Sequence, residues 1–301
     1  MMPNPTTLKS SPAQFLERDI KSFVMENPDN RLKELDDSPF YEEPMVGFAD
    51  GDDPLFQEYK TIIADFHLTP REALGRYLAE ELNIEAPPAG PISVISIALP
   101  IARETRVSNR RMTRGPSLKW NHVRWHGQPF TDELARHVVS LLQEQGHRAV
   151  APDLTDMVEV VDLPNGRCSN WSQRHIAYAA GLGTFGLSDG FITPRGIATW
   201  FTSIVTDMKL PPNPRPYASH VANCPFLVEG TCGMCAARCP AGAITAQGHD
   251  KIKCRAELYA GQKSWLEKPG YLGRYAGCGL CLTGVPCESR IPGKIAKRFI
   301  P

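Results

Sequence analysis

The chain has 301 residues, with 33 Lys and Arg against 33 Asp and Glu, and 42% of its residues are hydrophobic. A net charge of zero gives no global attraction to nucleic acid or anionic lipid, and a chain of this length can bury a core without disulfide bonds. No apolar run reaches roughly 18 residues, so we expect no membrane-spanning helix. The N-terminal sequence lacks the apolar core and cleavage site of a secretory signal, so we expect a cytoplasmic protein with reduced cysteines.

Residues 1–90 are predicted to form a helical cover over the rest of the chain. Apolar residues recur with helical spacing in the segment AQFLERDIKSFVM and again in residues 53–65. Thr69 and Glu72 have the order of a capping box, with Pro70 at the first helical position, which predicts the start of a further helix.

Residues 91–215 are predicted to form an α/β domain. The run ISVISIALPI is short, apolar and β-branched, which is typical of a buried strand, whereas residues 102–130 are basic and are predicted to be irregular. Thr131 can cap the amphipathic helix DELARHVVSLLQEQG, which Gly146 ends, and HRAVAP follows as a strand. Strand, helix and strand in this order favour an α/β layer.

A glycine-rich turn, GLGTFG, occupies residues 181–186, after a predicted helix SQRHIAYAA and before predicted strands at residues 190–193 and 198–205. It fits G-x-G-x-x-G, but a dinucleotide-binding turn must follow a strand and open a helix. A nicotinamide site is therefore disfavoured. The glycines either form a tight turn or let the backbone approach a large flat group, and the local sequence favours neither alternative.

The proline-rich segment LPPNPRP is predicted to be a stiff, extended connection to a C-terminal module of residues 216–301. Eight of the nine cysteines lie in this module. The C-x2-C-x3-C-P order of Cys232, Cys235 and Cys239 matches the last three cysteines of the bacterial iron–sulfur run. In two-cluster ferredoxins the fourth cysteine of that run ligates the other cluster, and eight thiolates are the number that two 4Fe–4S clusters need.

We therefore predict two 4Fe–4S clusters with crossed ligation. The first cluster is assigned to Cys224, Cys232, Cys235 and Cys287. The second is assigned to Cys239, Cys254, Cys278 and Cys281. Zinc is the main alternative, because the two C-x2-C pairs also have zinc-knuckle spacing, and one cluster with spare thiols is another. Zinc pairs rarely carry a C-x3-C-P extension, but the first and last cysteine spacings are irregular for a ferredoxin.

The stretches RHIAYAAGLGTFGLSDGFITPRG and SIVTDMKL, followed by this cysteine order, resemble the shared core of epoxyqueuosine reductases and reductive dehalogenases. The resemblance covers about two thirds of the chain, from Pro91 to Pro292. It implies an α+β fold, in which a nitroreductase-like core with an N-terminal helical cover precedes a ferredoxin-like module with two 4Fe–4S clusters. It also implies that the core holds cobalamin in its base-off form. The cofactor-binding residues that it suggests are Gly181, Leu182, Gly183, Gly186 and Arg195.

The chain departs from both families near the expected proton donor. Epoxyqueuosine reductases carry an acidic residue a few positions before the motif, where this sequence reads GRCSN. Cys168 lies in this segment and is a candidate proton donor or substrate ligand, with a small buried hydrophobe as the alternative. His175, before the glycine turn, and Asp189, after it, are the other candidate catalytic residues, and a hydrogen-bonded helix residue is the alternative for His175.

The implied function is that of a reductase. It would take electrons from a ferredoxin or flavodoxin through the two clusters to cobalamin and on to a small organic substrate, since the cofactor carries the difficult chemistry. The alternatives are an electron-transfer or corrinoid-handling protein without an organic substrate, and a flavin-binding protein without cobalamin. No membrane is expected as a partner, and nucleic acid is not expected either.

Overall fold

The computed structural model describes residues 12–164 and 166–296; residues 1–11, which hold much of the sequence read above for a secretory signal, lie outside it. The strands are β1 (Met45–Asp50), β2 (Ser93–Pro100), β3 (Ala149–Val150), β4 (Val160–Leu163), β5 (Gly166–Ser169), β6 (Thr184–Phe185), β7 (Phe191–Ile192), β8 (Thr199–Thr206), β9 (Ile244–Thr245) and β10 (Gly248–His249). The helices are α1 (Pro12–Glu26), α2 (Leu55–Ile62), α3 (Pro70–Glu80), α4 (Arg103–Arg110), α5 (Leu118–Glu144), α6 (Gln173–Ala179), α7 (Pro225–Glu229), α8 (Met234–Ala237), α9 (Lys251–Ala256), α10 (Lys263–Leu266) and α11 (Gly293–Ala296).

A four-stranded antiparallel sheet in the order β1-β2-β8-β3 forms the centre of the fold. Strand β2 is buried along its whole length and pairs with β8 from Ser93, opposite Thr206, to Pro100, opposite Thr199. Alternate side chains of a strand point to opposite faces of the sheet. Both faces of β2 are therefore covered, which explains why its sequence is an uninterrupted apolar run.

Two hydrophobic clusters cover the two faces of the sheet. On one face, α1 and α5 pack against Ile95, Ile97 and Leu99. On the other face, α2, α3 and α6 pack against Val94 and Ala98. The mixture of helices with an antiparallel sheet agrees with the α+β class that we predict. Among the described residues no helix is long and apolar enough to cross a membrane.

Several predicted elements are confirmed, including α1, α2, α6 and the strands β2 and β8. The capping box is confirmed as well: the side chain of Thr69 accepts a hydrogen bond from the backbone N–H of Glu72, whose carboxylate accepts one from the N–H of Thr69. Gly146 ends α5 in the left-handed region, with φ +84°, as expected for a helix C-terminus.

The helical cover predicted for residues 1–90 misses β1, which lies within them and forms an edge of the central sheet. The predicted start of α5 is also wrong. Its N-cap is Ser117, which accepts a hydrogen bond from the N–H of Trp120, whereas the hydroxyl of Thr131 donates to the carbonyl of Gly127 inside the helix. The segment predicted to be irregular is thus largely helical.

The start of α5 lacks an apolar helical pattern because its polar residues form hydrogen bonds with the C-terminal module. The side-chain amide of Asn121 donates to the carbonyls of Leu272 and Ala276 and accepts from the N–H of Leu272. The indole of Trp125 donates to the carbonyl of Tyr275. Contact with the module, rather than with solvent, explains why this part of the helix is not apolar.

The proline-rich connection is extended, as predicted, and it lies along the outer edge of β1. The N–H of Asn213 donates to the carbonyl of Phe48, and the N–H of Phe48 donates to the side-chain oxygen of Asn213, with distances of 2.8 and 2.7 Å. The connection therefore holds a fixed position against the sheet before the chain enters the cysteine-rich module.

Candidate redox centre and cofactor cavity

The eight cysteines of the C-terminal module lie in two groups. Cys287 interacts electrostatically with Cys235, Cys224 and Cys232. We term these four cysteines the first thiol group. Cys254 interacts with Cys278 and Cys239, and these three with Cys281 form the second thiol group. The groups have the same members as the two ligand sets assigned from the sequence. Ligation itself stays a prediction.

Each thiol group needs compensating positive charge if its members are to ionise together. Burial, with a further contribution from neighbouring thiols, raises the pKa of both Cys235 and Cys254 to about 11. Thiolates held this close repel one another, so a group of four is stable in the charged form only with compensating positive charge. None of the nine cysteines, all of which lie in the described part of the chain, forms a disulfide bond.

The second thiol group lines a cavity of its own. All four members of the second thiol group line a cavity of about 270 Å³, whose walls include Trp120 and Leu282. A tetrahedral zinc ion with Zn–S bonds of about 2.3 Å places its sulfur ligands only about 3.8 Å apart. Within the described residues, the set of three or more possible metal ligands that lie within 4.8 Å of one another includes no cysteine. Four thiols are a donor set that a 4Fe–4S cluster uses, and among the described residues no three of them lie within reach of a single zinc ion.

The two thiol groups are neighbours. Cys281 of the second group interacts electrostatically with Cys235 of the first as well as with its own group. Cys232 of the first group is exposed, whereas every member of the second group is at least partly buried. Exposure therefore varies more within the first group, where Cys224 is buried and Cys232 exposed, than between the two groups.

A second and larger cavity, of about 970 Å³, lies between α2, the β4–β5 hairpin, α6 and the β9–β10 hairpin of the C-terminal module. This volume is at the upper end of the range for ligand pockets. Its walls include the exposed apolar side chains of Ile62, Val160 and Leu227 and the aromatic rings of Tyr178 and Phe185. Size and apolar walls fit a large cofactor with flat faces, and cobalamin is such a group.

Four of the predicted site residues meet at this large cavity: Cys168, His175, Gly186 and Asp189. They come from β5, from α6 and from the turn between β6 and β7. They are separated by up to about twenty residues in sequence, and the fold brings them to one wall. The sequence did not predict a role for Tyr59 of α2 at this site. Its hydroxyl donates a 2.7 Å hydrogen bond to the carbonyl of His175.

The other four predicted cofactor-binding residues do not line the large cavity. A Cβ atom at Gly183 would overlap the carbonyl oxygen of Ile192, and one at Gly181 would overlap that of Pro214. Leu182 packs beneath β1, where a Cβ atom at Gly47 would lie 2.9 Å from its side chain. Close packing of the backbone leaves no room for a side chain at Gly181 and Gly183. This corresponds to the tight-turn alternative.

Arg195 is likewise away from the cavity. Its guanidinium donates a 2.7 Å hydrogen bond to Glu42, and the second carboxylate oxygen of Glu42 accepts one from Arg106, also at 2.7 Å. Arg106 is buried, so Glu42 compensates its charge. This ion-pair network connects the segment before β1, α4 and the turn after β7, and it gives Arg195 a structural role.

His175 presents a neutral imidazole to the large cavity. Burial, reinforced by the positive charge of Arg174, lowers the pKa of His175 to about 3. Its Nδ1 lies 2.8 Å from the hydroxyl of Ser172. A ring that stays neutral at physiological pH can donate or accept a hydrogen bond but cannot serve as a cationic acid.

Asp189 joins the large cavity to the second thiol group. Its carboxylate lies 3.2 Å from Nδ1 of His249, and His249 lines the 270 Å³ cavity beside Cys254. Burial alone would raise the pKa of Asp189, but the hydrogen bond with His249 and the charges of Lys251 and Arg174 outweigh it and hold the pKa below its usual value. The backbone of Asp189 is in the left-handed region, with φ +56°, and its carbonyl accepts a hydrogen bond from Arg174.

Cys168 lies on β5 opposite Val161 and lines the large cavity. Its thiol donates a 3.4 Å hydrogen bond to the carbonyl of Ile63, the residue that follows α2. The thiol is partly buried, so it is neither a core residue nor freely solvated.

No protein-family model matches the sequence, and no curated protein matches it. Solved structures that resemble the chain include epoxyqueuosine reductase from Bacillus subtilis, with a TM-score of 0.42 and 16% identity over 97% of this chain and 68% of the other. The enzyme from Streptococcus thermophilus gives a TM-score of 0.46 and 14% identity over 90% of this chain and 66% of the other. A third structure, an epoxyqueuosine reductase with a modified tRNA stem loop, gives 0.43 and 17% over 95% and 66%.

The chain spans about two thirds of the length of these proteins. Likenesses at such identities and TM-scores do not establish a family, a substrate or a cofactor.

Proposed function

We propose that the chain is an iron–sulfur, cobalamin-dependent reductase with a nitroreductase-like core and a ferredoxin-like module. The observation that carries the proposal is the placement of the second thiol group beside the large cavity, with Asp189 and His249 between them. Bound clusters supply one-electron transfer, and a bound corrinoid supplies a strongly reducing centre for the substrate bond. The resemblance of residues 91–292 to epoxyqueuosine reductases and reductive dehalogenases supports the same proposal.

Residues at different positions in the chain would have different roles in this reaction. The first thiol group, with Cys232 exposed, would receive electrons from a ferredoxin or flavodoxin. The exposed apolar side chains of the large cavity would be covered by a bound cofactor. His175 offers a neutral hydrogen-bonding group, and Cys168 is the candidate proton donor at the segment where an acid is missing.

The substrate class has two candidates. A small organic molecule is the first. A nucleic-acid substrate is the second, because one of the similar solved structures holds a tRNA stem loop with epoxyqueuosine. The expectation that nucleic acid is no partner is therefore not kept. Arg167 and Lys251 line the large cavity and supply positive charge for a phosphate-bearing substrate.

The test is anaerobic reconstitution with iron and sulfide, followed by addition of cobalamin. We expect about eight iron and eight sulfide per chain, and about four of each would leave only one cluster. The cobalamin spectrum should then shift to the base-off form. No shift would remove the cobalamin proposal, and zinc retained at the cysteines would remove the cluster proposal.

An electron-transfer or corrinoid-handling protein is the second candidate function. The observation that favours it is that each candidate catalytic group is already engaged: Cys168 with a backbone carbonyl, His175 with Ser172 and Asp189 with His249. Under this alternative, chemically reduced protein would reduce bound cobalamin but turn over neither an organohalide nor an epoxyqueuosine-bearing stem loop. Turnover of either substrate decides for the reductase.

A further inference from the structure

Three possible metal ligands lie together away from both thiol groups and from the large cavity. Glu34 comes from the segment after α1, and His122 and His126 come from α5. One ligand atom of each lies within 4.8 Å of the others. His122 and His126 are four residues apart, so they lie on the same face of the helix. Together with Glu34 they form a His–His–carboxylate set, which suits zinc and related divalent metals.

The distances within this set suit a shared metal ion better than direct hydrogen bonds. Oε2 of Glu34 lies 3.8 Å from Nδ1 of His122, and Oε1 of Glu34 lies 3.5 Å from Nε2 of His126. Both separations exceed normal hydrogen-bond lengths. Two ligand atoms on a tetrahedral zinc ion, each bonded at about 2.0 Å, are about 3.3 Å apart. A small closing movement would bring these three side chains to that spacing.

Both imidazole nitrogens that face Glu34 are buried and make no hydrogen bond within the described structure. A buried polar atom without a hydrogen-bond partner destabilises the fold. The side chain of His122 is only 3% exposed, so water does not supply the missing partner readily. A metal ion between the two nitrogens and the carboxylate would satisfy all of them at once.

The second nitrogen of His122 fixes the tautomer that metal binding needs. Nε2 lies 2.8 Å from the carbonyl oxygen of Gly270, which can only accept a hydrogen bond. Nε2 therefore carries the proton, and the lone pair of Nδ1 points toward Glu34. Histidine ligands of metal ions commonly donate their other N–H to a carbonyl or carboxylate in this way.

A groove of about 270 Å³ opens beside the three ligands. The cations at its rim are paired with carboxylates: Lys33 with Asp29 and Arg31 with Asp37. Their repulsion of a metal ion is therefore reduced. The groove leaves room for a water molecule or a small anion as a fourth ligand.

We propose that Glu34, His122 and His126 bind one divalent ion of the zinc class, with the carboxylate, Nδ1 and Nε2 as ligands and a fourth position open to the groove. The ion would join the N-terminal segment to α5. Through the bond between His122 and Gly270, it would also support the loop that leads to Cys278. The proposal rests on no step of the reductase function.

The test uses cluster-reconstituted, full-length protein titrated anaerobically with Zn²⁺ and then freed of excess metal. We expect one zinc per chain, with X-ray absorption showing zinc bonded to nitrogen and oxygen at about 2.0 to 2.1 Å rather than to sulfur at about 2.3 Å. Glu34→Gln and His126→Asn should each weaken zinc binding at least tenfold and leave the iron content unchanged. His137→Asn is the matched control, because His137 lies on the same helix but pairs with Asp19.

Both substitutions change side chains that are well exposed, Glu34 at 59% and His126 at 40%, so the fold should survive them. Circular dichroism and iron content check that it does. Three results would overturn the proposal: no zinc bound by the wild-type chain, zinc surrounded only by sulfur, or binding that both variants retain in full. Failure of the cobalamin or cluster tests would leave this site untouched.

Discussion

Asn121 is the best place to test how the C-terminal module is held to the core. It is fully buried in α5, and its side chain makes three hydrogen bonds to the backbone of the loop before Cys278. The donor–acceptor distances are 2.8 Å to Ala276, 3.1 Å to the carbonyl of Leu272 and 2.8 Å from its N–H. We predict that Asn121→Ala destabilises this loop and, through it, the second thiol group.

The magnitude follows from the bonds that are lost. Each hydrogen bond contributes about 1 kcal/mol net to stability, so losing three destabilises the loop by about 3 kcal/mol. The backbone groups of the loop that lose their partner are left unsatisfied, so the loss is not smaller than this. Since about 1.4 kcal/mol corresponds to a factor of ten, local opening of the loop should become roughly 100-fold more frequent. The core sheet is remote from the change and should keep its stability.

The assay is hydrogen–deuterium exchange of peptides from residues 268–282, together with the rate at which a chelator removes iron. Ser140→Ala, at an exposed position of the same helix, is the control and should change neither quantity. Exchange and iron release that match the wild type in Asn121→Ala would refute the idea that this amide anchors the loop. Faster exchange throughout the sheet would show global rather than local destabilisation.

Three further predictions concern the core and the large cavity. Burial lowers the pKa of His67 to about 4, so the stability that this residue contributes is present above about pH 6.5 and is lost as the pH falls toward 4. From pH 7 to pH 5 the wild type should lose about 2 kcal/mol more in denaturant unfolding than His67→Gln, and equal losses would contradict this assignment. Gly183→Ala should lower the free energy of unfolding by about 2 kcal/mol, and with it the melting temperature, because the added Cβ would overlap the carbonyl oxygen of Ile192. Gly75→Ala is the control and should not destabilise the protein, because Gly75 lies inside α3 and a Cβ there would be 3.4 Å from its nearest neighbour. Cys168→Ser should abolish substrate turnover but spare cobalamin reduction, and unchanged turnover would reject a catalytic thiol.

The long elements of the fold could be predicted from local patterns, and the short or paired ones could not. The apolar run of β2 and the capping box of α3 each carry their own signal. Strand β1, MVGFAD, has no clear alternation and becomes a strand only because β2, more than forty residues later, offers it an edge. The beginning of α5 was missed because Asn121 and His122 are buried against another part of the chain, and burial of that kind leaves no periodic apolar signal.

The candidate site divides in the same way. Cysteine spacing predicts the two ligand sets, whose members interact electrostatically with one another in the structure, and ligation stays a prediction. The contact between Asp189 and His249 was not predictable, because it depends on where the β9–β10 hairpin lies against the turn after β6. Gly181 and Gly183 could not be separated from cofactor-contacting glycines, since a residue without a side chain serves close packing and ligand approach equally well.

The proline-rich connection along β1 has a consequence for association between chains. An edge strand with free N–H and C=O groups can recruit a strand from another molecule and start aggregation. Here Asn213 occupies the outward-facing groups of Phe48, and the flanking residues Pro211, Pro212 and Pro214 have no N–H with which to continue a ladder. The segment that joins the two parts of the protein thus also closes the exposed side of its sheet to intermolecular β-pairing.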